Sequence, residues 1–478
     1  MKKTLAFLFL LGLAAPAPAG FSLGRPAAVK KRVDKLDDKV RAAARAPASP
    51  DRPPVFSASA AVSTTVAAGG YTRVSAAAAD PDGDTVTYVW TSTAGVFQGS
   101  GAAPYWLAPA VSGVYTLSCA ASDGSLSVST SVVVTAVAPG TPKWDFSAAN
   151  PFSLPPVPAP DGTVYVSDSG GVLYALDGAG AQKWSYTTAA ALNYPPVVSA
   201  DGMVYAVDSS DNVYAVRPDG TLKWSNTTLP AVTVDASPVV GPDGGIYVYD
   251  GTSAALYSLD PVTGVEVSTF TDLSGILVAP VAGPNGSIYV AANDGVDDVL
   301  YAVPAAGLSG STPTIVTGIT MPPAVGADGS VYWLDLSNNL NAATAAGSTK
   351  WAAPFSYIPS LADVGPLIGL DGGVYVLDSG SGVIRVSSET GVGFAFSSSF
   401  AAVTQPAASG RDGAVYAVST ADLAAARSGD TALWGPVTAA PPATAFNMPS
   451  AVADGTVYAT DDNGAVYAFY STSLPPSP

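Results

Sequence analysis

From residue 142 to the end, apolar residues come in runs of a few positions, each closed within a short distance by Gly, Asp, Asn or Pro. Runs that short, bounded by turn residues, are the pattern of β-strands rather than of amphipathic helices. An Asp-Gly pair (once Asn-Gly), then one variable residue, an aliphatic residue and Tyr, recurs eight times. The pairs begin at Asp161, Asp201, Asp243, Asn285, Asp328, Asp371, Asp412 and Asp454. Successive separations are 40, 42, 42, 43, 43, 41 and 42 residues. A proline stands five residues before the pair in seven repeats and six before it in the other. A period near forty with several strands per period predicts an all-β, eight-bladed β-propeller over 142–478, with seven blades as the competing count.

Each period divides into four strands. After the proline a short apolar strand A would line the centre, and Asp-Gly supplies the positive-φ corner of a hairpin into strand B, as in Thr163-Val164-Tyr165-Val166. Strand C follows as Val172-Leu173-Tyr174-Ala175-Leu176, and strand D carries Trp184 or Trp224. The region opens on Lys143-Trp144-Asp145-Phe146, which reads as a strand D, and ends after Ala465–Phe469, which reads as a strand C. The N-terminal strand is therefore expected to complete the last blade and close the ring, leaving no open edge.

Ahead of the repeats, residues 54–137 alternate in the manner of a small β-sandwich, through Val86, Tyr88 and Trp90, then Val114–Leu117, then Val128–Val134. Cys119 shares a strand face with Tyr115 and Leu117, the place of a small core residue. As the chain's one cysteine it has no internal disulfide partner. Residues 20–53 form a linker with one short helical pattern, Val29, Val33, Leu36, Val40 and Ala43, ended by Pro47 and Pro50. Residues 1–19 read as an export leader: Lys2 and Lys3, an apolar run from Leu5 to Ala14, then Ala17-Pro18-Ala19. No cysteine follows the cleavage point, so the expected location is secreted or periplasmic without a lipid anchor. No later apolar stretch is long enough to span a bilayer.

Charge adds a constraint. Residues 1–53 hold 11 Lys and Arg against 4 acidic residues, and the remainder carries a net charge of −24. That balance repels nucleic acid and anionic lipid. The chain has no histidine and only two glutamates, Glu266 and Glu389. A Ser-His or Cys-His nucleophile and a histidine metal site are thereby excluded.

The motifs Asp-Gly-x-Val-Tyr-Val, Leu-Tyr-Ala-Leu-Asp and Gly-x-x-x-Lys-Trp resemble the pyrroloquinoline-quinone-type propeller repeat. The resemblance implies that the Trp of each blade docks beside the next, a place that Trp144, Trp184, Trp224, Trp351 and Trp434 fit and that repeats three and four lack. The family includes quinone dehydrogenases and non-catalytic scaffolds of the BamB kind. The dehydrogenases hold their cofactor with an adjacent cysteine pair, which this chain does not have, so pyrroloquinoline quinone is not expected. BamB-like proteins are usually lipid-anchored and lack a preceding sandwich, which also separates them from this chain. Asp80-Pro81-Asp82-Gly83-Asp84 and Gly113-Val114-Tyr115 make residues 54–137 similar to PKD and related immunoglobulin-like modules.

The repeated Asp-Gly turns are read as hairpin corners rather than as a ligand array. Candidate binding residues lie instead in the less regular segments. Phe152, Tyr194, Asp235, Tyr357, Phe400 and Phe446 precede successive A strands, and Asp208, Asp211, Asp298 and Asp461 sit in B–C turns on the same face. Aromatic and acidic groups there suit a protein or polysaccharide ligand. Asp80, Asp82 and Asp84 have the alternate spacing that could converge on Ca²⁺, though no Glu completes an EF-hand. The expected function is a non-catalytic binding or scaffold protein. The alternative is a propeller enzyme acting on a carbohydrate or small metabolite, quinoprotein-like or a lyase or hydrolase. Nothing in the sequence indicates an oligomeric state.

Overall fold

The computed structural model describes residues 50–227 without a break, Lys35, and most of 234–472. The expected leader at 1–19 and, Lys35 aside, the helical pattern at 29–43 lie outside the described residues. Among the described residues no helix is long and apolar enough to cross a membrane.

The chain first forms eight strands: β1 (Val55–Ala61), β2 (Thr65–Ala67), β3 (Tyr71–Ala79), β4 (Thr87–Ser92), β5 (Val96–Gln98), β6 (Tyr105–Leu107), β7 (Gly113–Ser122) and β8 (Ser127–Val137). They make two four-stranded sheets, β1-β3-β6-β5 and β2-β8-β7-β4. Alternating burial along β3 and β7 sends every second side chain inward. Val66, Val74, Trp106, Leu117 and Val134, drawn from both sheets, share one core. Cys119 is fully buried and unpaired, and burial pushes its thiol up. The Tyr115 hydroxyl donates to the Val111 carbonyl at 2.7 Å, pinning the entry to β7. Tyr115→Phe is expected to cost this region about 1 kcal/mol, read as a lower unfolding midpoint in calorimetry.

Strand β9 (Pro142–Ser147) leads into eight consecutive four-stranded antiparallel sheets among the described residues. The first contains β10 (Val157–Pro158), β11 (Val164–Ser167), β12 (Val172–Leu176) and β13 (Gln182–Thr187) in that order, and the next six repeat it. The eighth takes three strands from the C-terminal end, and its fourth is β9, paired Ala468↔Trp144 and Val466↔Phe146. Strand B of each unit is covered on both faces by neighbouring sheets, so Val164–Ser167, Val204–Val207 and Ile246–Asp250 are buried at every position. This is why B strands read as continuous apolar runs rather than alternating ones. Apolar clusters each mix two consecutive units, and one joins Val164 and Leu176 of the first unit to Tyr458 and Val466 of the last. Consecutive four-stranded sheets of this kind, each packed on the next, make a β-propeller.

The tryptophans lock successive units. Trp144, Trp184, Trp224 and Trp351 donate their indole N–H to Gly178, Pro218, Pro261 and Ser388 carbonyls at 2.8–3.1 Å, in each case in the C–D turn of the following unit. Each ring lies over a glycine of that turn. At Gly220 (φ +85°) a Cβ would stand 2.6 Å from the Trp184 ring, so the turn needs both a left-handed backbone and no side chain. Across the sheet each Trp faces a small residue of strand C, as in Ala175↔Trp184 and Ala215↔Trp224, with a bulge immediately after. Tyr165, Tyr205 and Tyr332, the tyrosines after the Asp-Gly pairs, pack on Trp184, Trp224 and Trp351 at 5.7–6.0 Å between ring centroids.

The Asp-Gly pairs form tight A–B corners. Asp161, Asp243, Asp328 and Asp371 each accept the N–H two residues on, at 3.0–3.1 Å, and the following glycines have positive φ. The Thr163 N–H holds the Asp161 carboxyl below the usual carboxylate range, and the Ser199 hydroxyl does the same for Asp201. At Asp328 burial acts upward, but Lys350 at 2.9 Å and the Ser330 bonds outweigh it and bring the carboxyl down to about 2. Groups lowered on folding stabilise fully above their unfolded value of about 4 and lose that contribution as pH falls through the folded value. The unfolding temperature is therefore expected to fall between about pH 4 and pH 2. Lys350→Met raises the folded value toward the unfolded one, so the loss should become smaller and end at a higher pH in a calorimetric pH series.

Candidate binding face

The D–A connections and the B–C turns meet on one face. The residue ahead of strand A doubles back onto the end of strand B, giving isolated bridges Phe152↔Asp168, Leu192↔Asp208, Val234↔Asp250 and Phe446↔Asp461. Each of those aspartates ends a buried strand whose turn leaves backbone N–H groups unpaired. The carboxylate satisfies them. Asp168 Oδ1 accepts from Gly170 and Val172 N–H at 3.0 and 2.9 Å, while Oδ2 accepts from Tyr174 and Asn150 at 3.2 Å. Asp208 repeats this with Ser210 and Asn212 N–H, the Asn212 amide and the Tyr214 hydroxyl at 2.8–3.1 Å. Asp461 does so with Asn463, Ala465 and Tyr467. In the fifth unit Asn341 takes the tyrosine's place on Asp335.

Asp168, Asp208, Asp250 and Asp461 are only 0–2 % exposed, and Asp335 is half-buried. Burial pushes Asp208 up, but the bonds from Asn212, Tyr214 and the turn N–H groups prevail and hold it below the usual carboxylate range. Burial first, then Asp461, pushes the Tyr467 hydroxyl up to about 12. The aspartates thus serve the turn from behind. Exposed at its tip are Ser169, Ser209, Ser210, Thr252, Ser253 and Asn463, which are neutral hydrogen-bonding groups.

The sequence-predicted residues fall into four groups. Phe152 and Phe446 are 1 % and 3 % exposed and plug the joints between units, Phe152 against Tyr174 and Phe446 against Tyr467 and Phe469. Asp208 and Asp461 are the buried caps just described. Tyr194 is half-buried on the face, and Asp211, at φ 63°, accepts the Val234 N–H at 3.0 Å and so ties its turn to the next connection. Asp298 opens the strand Asp298–Pro304, with its side chain outside the described residues, and Asp235, Tyr357 and Phe400 also lie outside them. Sequence reasoning did not single out the Ser, Thr and Asn tips. Their signal was present in the small polar residues within three positions after the B-strand aspartate, as in Asp168-Ser169, Asp208-Ser209-Ser210 and Asp250-Gly251-Thr252-Ser253.

Asp80, Asp82 and Asp84 occupy one turn, where Asp80 Oδ1 accepts the Asp82 and Asp84 N–H groups at 2.8 and 3.1 Å. Asp82 is engaged by Arg52 at 2.8 Å, which lowers the carboxyl. Among the described residues no three acidic, cysteine or histidine side chains gather as a metal site.

A family described as "Outer membrane protein assembly factor BamB" matches residues 129–271. The solved structure of BamB from Moraxella catarrhalis superposes with a TM-score of 0.54 at 14 % identity, covering 69 % of this chain and 99 % of that one. A streptogramin B lyase structure aligns at a TM-score of 0.41 and 12 % identity, over 68 % of this chain and 96 % of that one. No curated protein matches the chain. The likeness to BamB shows the fold, a β-propeller of PQQ-like repeats.

Proposed function

We propose that the chain is a secreted or periplasmic, non-catalytic scaffold. In this reading it is an eight-bladed propeller, closed by its own N-terminal strand, whose B–C and D–A face recognises a protein or polysaccharide of the cell envelope. The region at 54–137 is a PKD- or immunoglobulin-like spacer. The observation that carries this is the commitment of the face's buried aspartates to backbone capping. A general acid or base needs a carboxylate presented to a substrate, and these are turned inward behind neutral tips. The matched family's description names an assembly factor, which supports a protein partner.

Surface binding of the full chain to purified envelope proteins and polysaccharides tests the reading. Ser169→Arg and Ser210→Arg, both at exposed tips, are expected to weaken a genuine partner at least tenfold without lowering the unfolding temperature. Equal binding by both variants, or a large thermal stabilisation by pyrroloquinoline quinone with no other binder, would return the enzyme reading. Ca²⁺ at Asp80 and Asp84 would first have to displace Arg52 from Asp82, so Arg52→Ala should sharpen any calcium-dependent stabilisation of the spacer.

A further inference from the structure

We infer that the joint between the fourth and fifth units is an open slot for the indole ring of a small molecule. The filled joints define the parts of such a slot. Around Trp184, Tyr165 packs on the ring and Ala175 of strand C stands opposite it. From the next unit, Gly220 lies under the ring and the Pro218 carbonyl accepts the indole N–H at 2.8 Å. The fourth unit keeps these parts and lacks the ring. Tyr289 follows its Asn-Gly pair, and Ala302 stands opposite Thr312, where other units carry Trp. The next C–D turn has the same form as the others: the Thr344 N–H bonds to the Ser348 carbonyl and the Gly347 N–H to the Thr344 carbonyl, both at 2.8 Å, with Gly347 at φ 82°. Tyr289, Ala302, Ala345 and Gly347 line one recess over a floor of Leu300 and Val331.

Burial and hydrogen bonding mark this joint off from the rest. The alanine opposite the tryptophan is fully buried where the ring is present, at Ala175, Ala215, Ala342 and Ala468, whereas Ala302 is half-buried. The Ala345 carbonyl holds the place that Gly178 and Pro218 hold under Trp144 and Trp184, and among the described residues no donor reaches it. The third unit also lacks the tryptophan, with Ser268 in its place opposite Ser258, but there the Tyr247 hydroxyl donates to the Ala305 carbonyl at 2.5 Å and uses the acceptor. Trp333 enters the joint of the fourth and fifth units two residues further along strand B and does not line the recess.

The recess is shallow. Its sheltered space is about 10 Å³, room for one water, and the rest opens to solvent past the exposed Ala345. A ring seated there lies half out, as Trp184 and Trp351 do. An apolar plate with a single acceptor at its edge suits a flat ring with one N–H donor, since further polar groups would go unpaired. A tryptophan carried on a partner's strand is disfavoured twice. The strand Thr312–Ile315 already holds the strand D position, paired with Val299–Ala302. In filled units the lysine before the tryptophan also pairs with the corner aspartate, Lys183 with Asp161 and Lys350 with Asp328. Here the corner is Asn285, whose amide donates to the Tyr289 hydroxyl at 2.9 Å, so no anion awaits a lysine. The recess lies at the A–B and C–D end of the units, opposite the proposed binding face, and stands or falls independently of it.

Ligand-observed NMR titration of the full chain with indole, 1-methylindole and an end-blocked Lys-Trp dipeptide tests the assignment. Saturable binding of indole in the millimolar range or tighter is expected. The methylated ring cannot donate to Ala345 and should bind about fivefold more weakly, and the dipeptide should bind more weakly than indole. Thr312→Trp should fill the slot from within and abolish indole binding. Ala302→Leu crowds the recess from strand C and should abolish it too, which keeps the test open if Thr312→Trp fails to fold. No saturable binding of indole, equal binding of 1-methylindole, tighter binding of the dipeptide, or full indole affinity in either folded variant each overturns the assignment.

Discussion

Asp208→Ala is expected to destabilise the protein by about 3 kcal/mol or more, because the carboxylate is buried and its donors have no other acceptor. Asp208 is 0 % exposed and receives the Ser210 and Asn212 N–H groups, the Asn212 amide and the Tyr214 hydroxyl. Alanine would leave the Tyr214 hydroxyl buried without this acceptor and strip the part-buried Ser210 and Asn212 donors of theirs. Hydrogen exchange should show lost protection at Ser210, Asn212 and Ala189, the last through its bond to the Tyr214 hydroxyl at 3.1 Å. Asp208→Asn keeps the shape and one acceptor, and is expected to cost about half as much. Asp211→Ala removes a single bond to Val234 from a partly exposed site and should cost about 1 kcal/mol. If Asp208→Ala instead kept its stability and lost partner binding, the carboxylate would be a ligand group, and the face would have to be read as an acidic rim.

The same residue shows where sequence reading stops. The repeat period, the Asp-Gly corners and the closing strand were legible because each rests on local chemistry: positive φ, alternation, and an apolar run flanked by turn residues. Burial of an aspartate is not local. Asp208 and Asp211 stand three residues apart in one polar turn, yet one is a buried cap and the other partly exposed, and only the return of Leu192 over the turn separates them. Phe152 and Phe446 mislead for a related reason. A lone aromatic in an irregular segment looks like a binding residue, but here it fills the joint that Leu192 and Val234 fill in other units. The tryptophan lock was legible by resemblance, while its physical basis, a glycine under each ring and an alanine opposite, needed the pairing register.

The largest effect is expected from removing β9. A chain beginning at Ala148, compared with one beginning at Ala138 that lacks the same N-terminal sheets but keeps β9, loses the fourth strand of the last sheet and leaves Ala465–Tyr470 with an unpaired edge. It also loses Trp144, whose indole bonds to Gly178 of the first unit while its ring packs on Tyr458 of the last at 5.7 Å. Trp144 and Phe146 are half-buried, and their packing alone is worth roughly 3 kcal/mol. The strand's hydrogen bonds and the Lys143 contact with Tyr470 add to that. Closure matters beyond the sum. Each unit buries its faces between neighbours, and this strand adds Trp144 and Phe146 to the packing of the first unit on the last. The truncated chain should therefore unfold at a markedly lower temperature and self-associate through the open edge. Light scattering and exchange protection at Val466 and Ala468 would report the two effects. A peptide spanning residues 138–148, added in excess, should restore protection there, since it supplies the missing strand without its covalent link. Unchanged protection in the truncated chain would mean that the clusters between units hold the ring unaided, and that β9 ornaments a closure made elsewhere.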